Sequence, residues 1–384
     1  MAYELFFNKR LVYGAGSLDK LGPLAAHFGQ KALLVTGRSS LRKSGALEKI
    51  IGSLKRASIG FVHFDDIEAN PSVATVDRCA DLGRKEKADF ILAVGGGSCL
   101  DTAKAVSAMM TNPGSVEPYL EAGSGPKPLE APPVPMVAVP TTAGTGSEVT
   151  QNAVINIPSK GLKVSIRSPL LVPVVAVLDP SMLVSAPDDV VAAAGMDAMT
   201  QLIEPLTGKN HQPVIDSLCV DGINRINDNL EKFIKDRGNL EAGMELQIAA
   251  YYSGLALANA GLGAVHALAR PFGGMFDLPH GLACAILLPR ITAMNWRSNI
   301  PAYGRAGYAL GADRSLSEER AAEFCVKRIA ELNASLGIPP DFRKYRLDRL
   351  QIGKIVEDGQ GSSLKNNPAD LDKEQLHRLL EDLL

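Results

Sequence analysis

The sequence predicts an α/β domain built on a parallel sheet, followed by an all-α domain, and three observations carry that prediction. Short, nearly continuous apolar runs alternate with helix-patterned segments through the first half, as expected of parallel strands covered on both faces. Two of those runs lead directly into turns rich in glycine and hydroxyl side chains. After about Leu183 the strand-like runs stop, and long Ala/Leu-rich helical segments follow. The 384 residues therefore divide into an α/β domain over 1–183 and a helical domain over 184–384, each long enough to bury its own core at about 150 residues per domain.

Ala32–Thr36 (ALLVT) is the first clear strand, closed by Gly37. Over Ser40–Ala57 the apolar positions Leu41, Leu47, Ile50, Ile51 and Leu54 recur at helical spacing. Ile59–Phe64 reads as a strand and Val73–Lys87 as a helix. Phe90–Val94 (FILAV) runs into Gly95-Gly96-Gly97-Ser98 and a helix from Ser98 to Met110. Pro135–Val139 leads into Pro140–Thr150 (PTTAGTGSEVT), and Val174–Leu178 is a further strand. Asn152–Ile157 and Leu162–Ile166, separated by Pro158–Gly161, read as a hairpin on the same sheet. Helices are expected over 188–204, 212–235, 239–270, 283–297 and 318–336, the first opened by a cap and acidic turn in SAPDD (Ser185–Asp189). Tyr251–Ala269 carries no charged side chain and approaches the length of a membrane span, but its Gly and Ala content with Asn259 and His266 predicts a packed core helix.

Composition narrows the function. Forty Lys+Arg against 42 Asp+Glu give a formal net charge of −2, which argues against a nucleic-acid partner, and no block of like charge forms a tail. With 46% hydrophobic and 21% charged residues the chain is globular. The five cysteines are scattered and contain no CxxC, so buried free thiols in a reducing compartment are expected. The N-terminal MAYELFFNKRLVYG lacks the features of a secretory signal, and a cytoplasmic protein without a membrane partner is the expectation.

The chemistry sits in two groups of motifs. Glycines in Gly95–Gly97 let the backbone approach a phosphate, and Ser98 opens a helix whose N-terminus offers free N–H groups and a positive dipole end. Asp101, in the first turn, can cap the helix or accept a ribose or amide hydrogen bond. Thr141, Thr142, Thr145, Ser147 and Thr150 make the second turn a dense donor surface. Two such turns on adjacent strands would face one crevice suited to a dinucleotide. The GxGxxG fingerprint is missing after the first strand (Thr36-Gly37-Arg38-Ser39). In the helical half, Asp197 and Gln201 lie four residues apart on one helix face, while His266 and His280 bracket Gly273-Gly274. An Asp and two His from separate segments suit a divalent metal such as zinc or iron, though His266 alone reads equally well as a hydrogen-bonded core histidine.

Together these motifs (Asn70-Pro71, GGGSxxD, PTTAGTGSEVT, GMDA and HALAxPxGGxFDLPHGxA) resemble the iron-containing, group III alcohol dehydrogenases over about Phe7–Leu336. The resemblance implies a Rossmann-like, dehydroquinate synthase-like N-terminal domain and a helical metal-binding domain, with the active site in the cleft between them. It implies metal ligands at Asp197, His266 and His280, with a fourth at the position of Gln201, where the family usually has histidine. An amide oxygen is a poorer ligand than imidazole, so weaker binding, a changed shell, or three ligands and water follow. A second family histidine, near the nicotinamide, is replaced by Arg270. Its guanidinium suits a carboxylate, sulfonate or phosphonate on the substrate, or carbonyl polarisation; as a helix C-terminal residue it could instead pair with a dipole or an acid.

The activity so implied is NAD(P)-dependent interconversion of a small primary alcohol and its aldehyde, including aldehydes or ketones that bear an anionic group. A divalent metal, iron or zinc, polarises the substrate oxygen. A metal-independent reductase of an acidic oxo substrate like maleylacetate reductase, a dehydroquinate synthase-like lyase and an inactive paralogue are the alternatives. The cofactor positions implied are Gly37, Arg38, Ser39, Asn70, Gly96, Gly97, Ser98, Asp101, Thr141, Thr142, Thr145, Ser147, Thr150 and Lys163. Lys163 reads also as a surface strand lysine. Many family members place an acid after the first strand, where it bonds the adenosine ribose. Gly37 and Arg38 stand there instead, which slightly favours NADP(H) over NAD(H). A homodimer or larger homo-oligomer is expected by the same resemblance.

Overall fold

The computed structural model describes residues 3–122, 125–276, 278–345 and 349–384. The chain divides into two compact units, Leu5–Ala186 and Pro187–Leu384, the second including Tyr3 and Glu4. The first unit contains β1 (Arg10–Tyr13), α1 (Leu21–Ala25), β2 (Lys31–Thr36), α2 (Ser40–Lys43), α3 (Ala46–Arg56), β3 (Gly60–Phe64), α4 (Val73–Lys85), β4 (Phe90–Gly95), α5 (Gly97–Met109), β5 (Met136–Pro140), β6 (Asn152–Ile157), β7 (Leu162–Arg167) and β8 (Val175–Leu178). Six strands form one all-parallel sheet in the order β1-β8-β5-β4-β2-β3.

Successive side chains of the central strands enter opposite cores. Leu33, Val35, Ile91 and Ala93 pack with Val76 of α4 and Leu100 of α5, whereas Ala32, Leu34, Leu92 and Val94 pack with Ile50 and Leu54 of α3. With both faces buried, every position must be apolar, and so these strands read as continuous runs. The connection leaving β2 covers one face and that leaving the neighbouring β4 covers the other. The carboxyl ends of β2 and β4 thus flank the switch point at which open α/β sheets bind ligands.

Three details differ from the sequence expectation. The hairpin β6–β7 is not on the main sheet but forms its own two-stranded antiparallel sheet. Its alternating Ala153, Ile155 and Ile157 bury one face in the core shared with α5, so it covers a helix instead of extending the sheet. The stretch 40–57 is two helices, because Gly45 adopts a left-handed φ of 71° between α2 and α3. The edge strand β1, paired only with β8, went unread because its four residues are half-exposed and flanked by charge.

The second unit is helical: α6 (Asp188–Thr207), α7 (Pro213–Lys235), α8 (Leu240–Ala260), α9 (Ala264–Met275), α10 (His280–Asn295), α11 (Ile300–Ala309), α12 (Glu318–Ser335), α13 (Arg349–Asp358), α14 (Ser362–Asn366) and α15 (Lys373–Asp382). α6 lies at its centre against α7, α8 and α10, and is buried on almost every side. The single helix expected over 239–270 is α8 and α9, bent by 105°. Gly261, at φ 74° and ψ −177°, terminates α8 in a conformation open essentially to glycine alone. The helix ends exposed by this break are satisfied by buried asparagines: Asn366 donates to the Ala260 and Leu262 carbonyls, and Asn367 accepts from the Ala264 amide. No single described helix is long and apolar enough to cross a membrane; the bent pair α8–α9 passes that test by length and composition, and Ala249, Ala250 and Ala256 of α8 are buried in the core.

Candidate functional site

In the first unit the two glycine/hydroxyl turns meet, as their spacing predicts. Gly95 at the end of β4 pairs in register with Pro140 at the end of β5, and the Thr141 amide donates to the Gly95 carbonyl at 3.0 Å. α5 starts at Gly97 with Gly96 as its N-cap, so its first amides project from the end of β4. A Cβ on Gly97 would lie 2.9 Å from Thr145 Cγ2, and one on Gly96 would lie 3.5 Å from Thr142, so the glycines are what let the turns close together. A Cβ on Gly95 would approach the Gly37 amide at 3.8 Å, which places the end of β2 at the same switch point.

Burial sorts the hydroxyls. Gly96, Gly97, Ser98, Thr141, Thr142 and Thr145 are partly exposed, whereas Ser147 and Thr150 are buried. Ser147 Oγ donates to Asp101 Oδ1 at 2.5 Å, and Asp101 Oδ2 accepts the Val154 amide at 3.0 Å. Asp101 therefore ties α5 to the second turn and the hairpin. Thr150 Oγ1 accepts from Lys104 Nζ at 2.8 Å; Lys104 is fully buried, also bonds the Asn152 carbonyl, and sits 3.2 Å from Asp101. Burial draws the Lys104 pKa down, while Asp101 opposes that shift. Beside it, burial pushes the Glu148 carboxyl up to about 7. Sequence reasoning missed both groups; the signal for Lys104 was its place one turn after Asp101 on an otherwise apolar helix.

The remaining cofactor candidates surround these turns. Ser98 Oγ donates to the Ala69 carbonyl, and Lys163 Nζ on β7 donates to Asn70 Oδ1 at 3.0 Å, so the loop before α4, the glycine turn and the hairpin are joined. Gly37 has open space where a Cβ would stand. Ser39 is exposed at the start of α2. Exposed Arg38 pairs with Asp66 at 2.9 Å, and Asp66 also pairs with Arg78 at 3.0 Å.

In the second unit α6, α9 and α10 bring together Asp197, His266, His280 and Cys284, whose ligand atoms all lie within 4.8 Å of one another. His266 Nε2 is 3.5 Å from Asp197 Oδ1, His280 Nε2 is 3.8 Å from the same oxygen, and Cys284 Sγ is 3.6 Å from His280 Nε2. α10 approaches α6 this closely because of Gly281, whose Cβ would stand 2.5 Å from the Ala193 carbonyl oxygen and 3.2 Å from Asp197 Cβ. The break at Gly261–Gly263 points the N-terminus of α9 at the buried Glu204 on α6. Glu204 Oε1 accepts the Val265 amide at 2.6 Å, and Oε2 meets His266 Nδ1 at 2.6 Å. That bond places the Nδ1 proton toward Glu204 and turns Nε2 toward Asp197.

Both facing atoms, Asp197 Oδ1 and His266 Nε2, are buried without a hydrogen-bond partner. Orphaned polar atoms of this kind are costly unless something fills the space between them. Burial works against charge on Asp197, yet the facing His266 and His280 hold its carboxyl below the usual range. Burial likewise works against an imidazolium at His266, but Cys284, Glu204 and Asp197 raise it well above its ordinary value. A largely buried cluster of O, N and S donors with two facing atoms left unpartnered fits a divalent transition metal. Gln201 lies one turn from Asp197 and is buried; its Oε1 accepts from Ser253 Oγ at 3.3 Å. Arg270 is exposed one turn after His266, and its Nη2 donates to the Asp358 carbonyl at the end of α13, at 2.9 Å. Cys284 and Glu204 were the two members of this site that the sequence reading passed over.

Comparison with known proteins matches residues 8–180 to the family described as iron-containing alcohol dehydrogenase, and residues 191–384 to its C-terminal part. The 1,3-propanediol dehydrogenase of Citrobacter freundii is 38% identical over 332 residues, covering 86% of this chain and 84% of the relative. A crystal structure of 1,3-propanediol oxidoreductase superposes with a TM-score of 0.95 at 31% identity, covering 100% of both chains. The sulfoacetaldehyde reductase of Bifidobacterium kashiwanohense, solved with NAD+, superposes with a TM-score of 0.91 at 27% identity, covering 100% of this chain and 99% of that one.

Proposed function

The chain belongs to the iron-containing alcohol dehydrogenase family, and we propose that it works as an NAD(P)-dependent oxidoreductase interconverting a small alcohol and its aldehyde. The observation that carries this reading is the pair of buried, orphaned ligand atoms on Asp197 and His266, turned toward each other beside His280. Dehydrogenases and reductases as relatives leave the lyase and inactive-paralogue alternatives without support, and the donor-rich cluster does the same for a metal-free mechanism.

Asp197, His266 and His280 would hold the metal, with the buried Gln201 one turn from Asp197 on α6. A divalent metal there supplies Lewis acidity toward the substrate oxygen, and the nicotinamide carries the hydride. The protein's part is orientation. Glu204 fixes the ring of His266. The N-terminus of α5, with the Thr141, Thr142 and Thr145 hydroxyls, receives the pyrophosphate, and the Lys163–Asn70 pair is placed for a ribose. Gly37 and Arg38 at the end of β2 make room and charge for a 2′-phosphate, which favours NADP(H). We assign a homo-oligomer on the open edge of β1, where Tyr13 at its end and Phe7 before it are exposed, and a reducing cytoplasm on five buried free thiols.

The substrate carries an anionic group. Arg270 keeps further donors on its guanidinium beyond the one given to Asp358, on the helix that bears His266, and a structural relative is named for an aldehyde bearing a sulfonate. Steady-state turnover of paired neutral and anionic aldehydes tests this. Arg270→Ala should lower kcat/KM for the anionic member about tenfold, the loss of one charge-assisted bond of about 1.4 kcal/mol, and leave the neutral one near its starting value. A preference for the neutral aldehyde that survives Arg270→His overturns the anionic assignment.

A further inference from the structure

We propose that Cys284 is a metal ligand: its thiolate takes the fourth position that Gln201 leaves empty, and it makes the site select zinc over iron. This assignment rests on the metal reading above and extends it. Gln201 is committed elsewhere, its carbonyl oxygen accepting from Ser253. Cys284 stands one turn after His280 on α10, fully buried, with Sγ 3.6 Å from His280 Nε2. Tetrahedral donors at metal–nitrogen distances near 2.0–2.1 Å and a metal–sulfur distance near 2.3 Å lie about 3.3–3.6 Å apart. Three of the six separations here are 3.5, 3.6 and 3.8 Å, close to those of such a shell, and all six lie within 4.8 Å. Burial without a hydrogen-bond partner at Asp197 Oδ1 and His266 Nε2 is the independent sign that a ligand belongs at the centre of the four.

The exchange of donors has a chemical consequence. A histidine at the Gln201 position would complete an oxygen and nitrogen set. The set present is one carboxylate, two imidazoles and one thiol, and a soft thiolate favours zinc over ferrous iron. On binding, the thiol S–H breaks, the proton passes to solvent, and the sulfur pair forms the bond to the metal.

Cobalt(II) substitution of the full-length protein reads the assignment directly. A thiolate on cobalt adds a sulfur-to-metal charge-transfer band in the near ultraviolet beside the weaker visible d–d bands. The wild type should show both, Cys284→Ser should keep the visible bands and lose the ultraviolet one, and Cys325→Ser should be unchanged. In competition, Cys284→Ser should lower the zinc-over-iron affinity ratio at least tenfold. Bound cobalt with visible bands but no charge-transfer band in the wild type overturns the Cys284 assignment and leaves the metal reading intact. Failure to bind cobalt or zinc at all overturns the metal reading and this assignment together. The wild-type spectrum decides the matter even if the variant folds poorly.

Discussion

Glu204 shows how much of the site depends on one carboxylate that is not itself among the ligand candidates. One of its oxygens takes the Val265 amide at the start of α9 and the other holds His266 Nδ1. In Glu204→Gln the amide must present its NH2 to one of these partners, so either the Val265 N–H loses its acceptor or His266 turns its proton to the wrong ring nitrogen. Metal affinity should fall 10–100-fold, the usual cost of losing an orienting partner, and the metal-free protein should lose about 1–3 kcal/mol for an unpaired buried donor. Chelator competition checks the first figure and denaturant unfolding the second; unchanged zinc affinity would mean that His266 orients itself. Residue type alone made Asp197, His266 and His280 weak candidates; the resemblance to the family singled them out, and the structure brings them together. Glu204 had a fainter signal: Asp197, Gln201 and Glu204 form a polar stripe at helical spacing on a helix otherwise apolar. Cys284 gave less still, since a scattered thiol reads as a core residue until its neighbours are known.

At the scale of elements, the site exists because α10 and α6 are unusually close at one point. Gly281 makes that contact, and a Cβ there would meet a backbone carbonyl that has no freedom to move aside. Gly281→Ala should therefore lift the start of α10 from α6, costing about 1–3 kcal/mol as overpacking does, and carry His280 away from Asp197. Zinc content after dialysis should drop well below one per chain in this variant. Gly337→Ala, at a left-handed position with nothing near its Cβ, should lose stability alone and keep its metal. Equal metal content in the two variants would separate the glycine contact from the site. Periodicity revealed α7 and α12 almost to the residue, and α6 except for its last turn, since each is a long segment with one continuous pattern. It could not reveal the break between α8 and α9. Both are apolar around most of their circumference, so no phase change marks the bend, and its supports, Asn366 and Asn367, lie a hundred residues away in sequence.

For the whole molecule, a net charge of −2 describes the average and conceals the cofactor end. There Arg38 and Arg78 pair with Asp66 and Arg42 with Asp65, all substantially exposed, while Glu68 reaches Arg78 through the Thr75 hydroxyl. The same topology that buried both faces of β2 and β4, and so made them readable, also delivers this cluster to the switch point. Asp66 would compete with a phosphate for Arg38, so the proposed preference for NADPH over NADH should be modest. Arg38→Ala should reduce kcat/KM for NADPH about fivefold, on the order of 1 kcal/mol for an exposed charged contact, with NADH nearly unaffected. Asp66→Asn releases the guanidinium and should move the ratio the other way. Because the groups are exposed, both effects should shrink as salt rises from about 0.05 M toward 1 M, where the Debye length falls to about 3 Å. A cofactor ratio indifferent to both substitutions and to ionic strength would place the 2′-phosphate out of reach of this cluster and leave the choice of nicotinamide to the ribose contacts.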